Sequence, residues 1–171
     1  MMSGRNSIII LIALIFIAYF TGWYSVYQKS KLYYHFAEQQ YEKGNYILAL
    51  KGINKIELYP EDDYFGGYQN VIEAWKNGLI VFYPDFYYQA LERSQSILQK
   101  SSDKELKDFI YTYIEIDIRY IPEAATCLLS RYKKDNNKEG EHEMTQFLND
   151  AFPAYKWQAS PLLINGCQIT E

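Results

Sequence analysis

Residues 8–27 read IIILIALIFIAYFTGWYSVY and contain no charged side chain. At about 1.5 Å per residue, a helix of this length is about 30 Å long, the thickness of a bilayer's hydrocarbon core. Aromatic residues crowd its C-terminal end, where Tyr and Trp settle between lipid tails and water, and lysines follow. The pattern predicts a single N-terminal transmembrane helix, with Tyr19, Trp23, Tyr24, Tyr27 and Lys29 at the membrane interface. A cleaved signal peptide needs small residues just after the apolar run. Here the run leads into the bulky Tyr19-Phe20-Thr21-Gly22-Trp23, and no cysteine follows that could carry a lipid. The expected organisation is a short tail (1–7), the membrane helix (8–27), a helical domain (28–152) and an irregular C-terminal tail (153–171).

The side of the membrane is balanced between two rules. Arg5 precedes the helix, while Lys29, Lys31 and Lys43 follow it, which favours a cytoplasmic domain. A very short N-terminal tail before a long domain is the layout of a signal anchor, which exports the domain. The reading taken is export. Beyond residue 27 there are 16 Lys and Arg, all of the chain's 17 except Arg5, against 21 Asp and Glu, a net charge of −5. Such a surface repels phosphate backbones, so nucleic acid is not an expected partner. Cys127 and Cys167 could form one disulfide in an oxidising compartment, and two cysteines at this spacing fit no metal framework.

After residue 27, helical periodicity predicts segments at about 31–43, 46–59, 63–82, 84–100, 103–121, 122–134 and 141–151. Asp62 or Asp63 can cap the third, and Ser101, Ser102 or Asp103 the fifth. Pro84 and Pro122 suit first turns, where a missing N–H costs nothing. Residues 135–140 read as a polar loop. YIEIDIRYI at 113–121 alternates like a half-buried strand, yet Leu106, Ile110, Tyr113, Ile114 and Ile121 also share a helical face. LIVFY at 79–83 is a short β-rich run. Both are assigned to helix because their neighbours are helical.

Residues 33–60, YYHFAEQQYEKGNYILALKGINKIELYP, resemble a tetratricopeptide repeat, a helix-turn-helix unit of about 34 residues. Tyr33 stands where the repeat has Trp, and Phe36-Ala37 where it has Leu-Gly. Gly44-Asn45-Tyr46 matches the turn, and Ala49 and Ile53 match the small and large positions of the second helix. Pro60 comes one residue early, and Gln40 replaces an aromatic. A looser unit at 71–102 places Gly78, Tyr87 and Ala90 in register, with Trp75 one residue late. A third, near 105–135, keeps Ala125 and Leu129. The resemblance implies an all-α, TPR-like α-solenoid of stacked antiparallel helix pairs. It also implies a partner-binding groove lined by the first helix of each pair, here Tyr34, Glu38, Trp75, Leu79, Ile110, Ile114 and Asp117. Tyr34 and Glu38 replace the Lys and Asn that clamp a C-terminal carboxylate in the family's chaperone-binding members, so that ligand mode is not expected.

Catalytic signals are weak. His142 lies in EHEMTQ, which lacks the second His of H-E-x-x-H, and neither a nucleophile elbow nor a phosphate loop is present. His35 sits among tyrosines and reads as a packing residue. Gly66-Gly67 reads as close helix packing or a loose helix start, and Glu61-Asp62-Asp63 as capping. Asp117 on an apolar face calls for a cationic partner, with Arg93, Arg119 and Arg131 as candidates. No cofactor, metal or catalytic residue is expected. The function expected is a membrane-anchored protein-protein interaction or assembly factor, whose partners are other proteins, themselves membrane-associated. A structural accessory subunit of a membrane complex is the alternative, and an enzyme is a lesser one.

Overall fold

The computed structural model describes residues 4–53, 65–76, 82–160 and 167. Among these the chain is all-helical, with an isolated bridge between Gly52 and Gly66. The helices are α1 (Gly4–Glu42), α2 (Tyr46–Lys51), α3 (Tyr68–Lys76), α4 (Asp85–Lys100), α5 (Asp103–Tyr113), α6 (Ile121–Lys134) and α7 (Lys138–Ala151), followed by a 3-10 turn at Trp157–Ala159.

The separate helices expected at 8–27 and 31–43 are one. α1 has 39 residues, about 58 Å of unbroken helix. The polar Gln28-Lys29-Ser30 step does not break it, because the Ser30 hydroxyl donates back to the Val26 carbonyl at 2.7 Å. Its N-terminal part is bare, with Ile8 to Ala18 exposed. From Ile8 onward the helix is long and apolar enough to cross a membrane, with a mean hydropathy of 2.1 over an 18-residue stretch. Its C-terminal part is core: Ser30, Tyr33, Ala37 and Tyr41 are buried at helical spacing.

α1 ends as its sequence requires. Gly44 takes φ +78°, Asn45 N–H bonds the Gln40 carbonyl at 2.9 Å, and Gly44 N–H bonds the Tyr41 carbonyl at 3.0 Å. This is the Schellman ending that glycine permits. α2 then stops at Lys51, earlier than the expected 59, because Gly52 adopts φ +76°. A Cβ on Gly52 would lie 2.4 Å from the Gly67 nitrogen, so two backbones meet where side chains cannot fit. The proposed helix 63–82 is shorter as well, since residues 65–67 join this crossing and residues 82–84 are not helical. The capping proposed for Asp62 and Asp63, and most of the LIVFY run, lie outside the described residues.

α3 descends along α1 and α4 climbs back. Tyr68 donates to Glu38 at 2.5 Å, while Trp75 donates to Ser30 at 3.1 Å and packs on Trp23. Phe86 then packs on Tyr27 and Tyr34, Arg93 reaches Glu38, and Ser96 meets the Tyr41 hydroxyl. α5 opens with a capping box between Ser102 and Glu105. It closes at Tyr113 rather than 121, so neither helix nor strand describes residues 114–120 of YIEIDIRYI. Pro122 lies in the first turn of α6 as expected, and α7 begins at Lys138, three residues before its expected start, capped by Asn137.

α5 packs on α6, and α6 on α7. Arg131 of α6 is buried and fastens this half to α4. Its guanidinium donates to the carbonyls of Leu98, Gln99 and Ser101, at the end of α4, where a cation complements the helix dipole. The same group donates to the Cys167 carbonyl at 2.9 Å, and Cys167 is disulfide-bonded to Cys127 with the Cα atoms 5.0 Å apart.

Candidate functional site

The segment 114–120 joins α5 to α6, and Asp117 holds it to the rest of the molecule. One Asp117 oxygen accepts from Lys51 Nζ at 3.1 Å and from Gln69 Nε2 at 2.9 Å. Arg119 folds back onto the same carboxylate through Nε at 2.6 Å and also pairs with Glu73. Arg119 was among the expected partners of Asp117. Lys51 was not, because a lysine at a helix end normally lies in water. Here its side chain is 2% exposed and its amine lies 5.3–5.8 Å from the rings of Phe109, Tyr113 and Tyr120. Tyr120 is held at φ +66°, which an L-residue adopts at a cost, so the segment is tightly constrained.

Burial dominates the electrostatics of Lys51. Its pKa falls to about 8, since removing the ammonium from water outweighs the attraction of Asp117. For Asp117, burial pushes the carboxyl up, but the hydrogen bonds from Gln69 and Lys51 and the Lys51 charge outweigh it and hold it below its ordinary value. Glu123, at the start of α6, is pushed up by burial.

Beside this network lies a cleft of about 650 Å³. Its walls are α3 (Gln69, Ile72, Glu73, Lys76), residues 118–120 with Pro122 and Glu123, and residues 151–155. Two of its lining residues carry a buried oxygen that accepts no hydrogen bond, Gln69 Oε1 and Glu123 Oε2. Gln69 cannot relieve this by turning its amide, because its Nε2 is already spent on carboxylates. Ile118, 57% exposed, stands at the rim. The cleft offers apolar surface, and the two oxygens lie buried behind its wall. Lys51 does not line it.

The residues expected to line a groove are spread differently. Trp75 and Ile110 are 3% and 1% exposed and belong to the core, so neither is an open lining. Glu38 is spent on Tyr68 and Arg93, and Tyr34 donates to Gln89 while packing against Tyr68 and Phe86. Ile114 is half-buried behind α5, Asp117 anchors the floor beside the cleft, and Leu79 lies outside the described residues. Of the interface residues, Trp23 and Tyr27 pack on Trp75 and Phe86, whereas Tyr24 and Lys29 are exposed. Tyr19 is half-buried against Phe20. The cleft was missed because its parts come from α3, the segment before α6, and the tail, and no local motif links them. Among the described residues no cluster of His, Cys, Asp and Glu could hold a metal ion. No protein-family model, curated protein or solved structure matches the chain.

Proposed function

We propose that the chain is a membrane-anchored, TPR-like interaction or assembly factor that takes a segment of a membrane-associated partner protein into the cleft beside α3. The observation that carries this reading is the cleft itself, walled by apolar side chains of three separate segments with Glu73 and Lys76 among them. A peptide segment supplies apolar side chains and backbone polar groups together, the chemistry such a lining receives. The position of the cleft favours a partner in the same membrane. Lys76 lines it and follows Trp75, which packs on Trp23 at the end of the bare stretch of α1. A tethered site gains effective concentration toward partners held in the same membrane.

The repeat-like reading is supported by burial. Ala37, Ala49, Ala90 and Ala125, the alanines at small positions of the resemblance, are fully buried, while Gly78 lies outside the described residues. The Cys127–Cys167 bridge favours an exported domain, because such bonds persist in oxidising compartments.

A photo-crosslinking side chain at Ile118, in the full-length protein in its own membranes, tests the proposal. One discrete adduct with an integral membrane protein is expected, abolished by Ile72→Glu and absent when the probe stands at Lys134. Indistinguishable labelling from Ile118 and Lys134 contradicts it. Exchanging residues 8–22 for an unrelated span separates an adaptor, which keeps the adduct, from a subunit whose anchor makes the contact.

A further inference from the structure

α3 descends along α1 from the level of Glu38 and Tyr41 to that of Trp23, and α4 climbs back from Tyr27 to Tyr41. The α3–α4 connection therefore begins and ends at the level of Trp23. A direct bond fixes this height, since Trp23 Nε1 donates to the Phe82 carbonyl at 3.3 Å. Trp23 stands 15 residues beyond Ile8, about 22 Å along the helix axis and within the last turns of a span about 30 Å thick.

At that height the protein shows a group of rings to the outside. Phe82, Tyr83 and Tyr88 are 64%, 40% and 57% exposed, and Tyr83 stacks on Tyr87 with centroids 4.4 Å apart. Tyr24 of α1 is exposed as well. In the sequence, residues 77–84 read NGLIVFYP, without a charge. Large rings with polar tips are what the boundary between acyl chains and headgroups accepts best. In water the same rings would be an unpaired apolar patch.

We propose that Phe82, Tyr83 and Tyr88 insert into the headgroup boundary of the bilayer that α1 crosses, so the domain is seated on the membrane rather than hung from it. The proposal rests on the reading of α1 as a membrane span. The unbroken helix between anchor and core makes it geometrically direct, because no linker lets the domain lift away.

The test is site-directed spin labelling of the full-length protein in phosphatidylcholine/phosphatidylglycerol nanodiscs. A single introduced thiol takes the label, since Cys127 and Cys167 are paired. Labels at Ile17→Cys, Asp85→Cys and Lys43→Cys report the mid-span, the ring cluster and the far tip of α1. Collisions with oxygen and with a water-soluble nickel chelate give depth. The proposal expects Ile17 in hydrocarbon, Asp85 at headgroup depth and Lys43 in water. If Ile17 is deep while Asp85 in the otherwise native chain is as accessible to nickel as Lys43, the seating is overturned and the anchor stands. If Ile17 itself is in water, the anchor reading falls, and this proposal with it.

Discussion

Lys51 brings a charge into a space walled by three aromatic rings, and Asp117 is the only carboxylate among its ion pairs at the described residues. Removing Asp117 strands the buried ammonium, whereas replacing Lys51 by an apolar chain of similar length leaves Asp117 with Arg119 and Gln69. Asp117→Ala is expected to cost about 3 kcal/mol and Lys51→Met much less, measured by urea unfolding in detergent micelles. The pH dependence has a definite sign. The Lys51 pKa is depressed from 10.5 to about 8 in the fold, so between those values the unfolded chain binds more protons. Stability from this residue therefore rises as pH climbs through about 8, where the buried ammonium loses its charge. The native protein should gain on Lys51→Met between about pH 7.5 and 9.5, below the tyrosine range. A constant difference would refute the burial argument.

At the scale of elements, the decisive contact is the crossing of Gly52 over Gly67. A methyl group at Gly52 meets backbone atoms and must also sit at φ +76°, so Gly52→Ala is expected to destabilise by about 2 kcal/mol or more. Ala at Gly22, where an added Cβ meets nothing within 4 Å, serves as the control, and thermal melts compare the two. This crossing also shows what the sequence could tell. Endings set by nearby residues were legible: Gly44-Asn45 after α1, a cap among residues 101–103 before α5, Pro122 in α6. The end of α2 was not, because Gly52 is forced into its conformation by a segment fifteen positions away. The end of α5 was not either, since Asp117 is drawn to Lys51 and Gln69 on two other helices, and helical periodicity carries no record of that pull.

For the whole molecule, α1 is both the candidate anchor and a core helix, so any force on the membrane segment reaches the packing directly. The apolar span was plain from composition. Its continuity with the domain was hidden by the polar Gln28-Lys29-Ser30 step, whose serine satisfies itself within the helix. The candidate cleft was illegible because three distant segments build it. At the far end, the disulfide closes a loop with a sequence separation of 40, for which chain entropy allows at most about 4 kcal/mol. Cys127→Ser is expected to lower the melting temperature and to expose the tail near Cys167 to protease. Protein purified without reductant should take up no thiol-alkylating reagent until reduced.

The account as a whole depends on residues 8–27 remaining in a bilayer, joined without a break to a helical domain. The most direct measurement is the intact mass and membrane partition of the full-length protein after an alkaline carbonate wash. The prediction is an uncut chain near 20.2 kDa that stays with the membrane fraction. A soluble product whose first residue lies beyond Phe20 would contradict it.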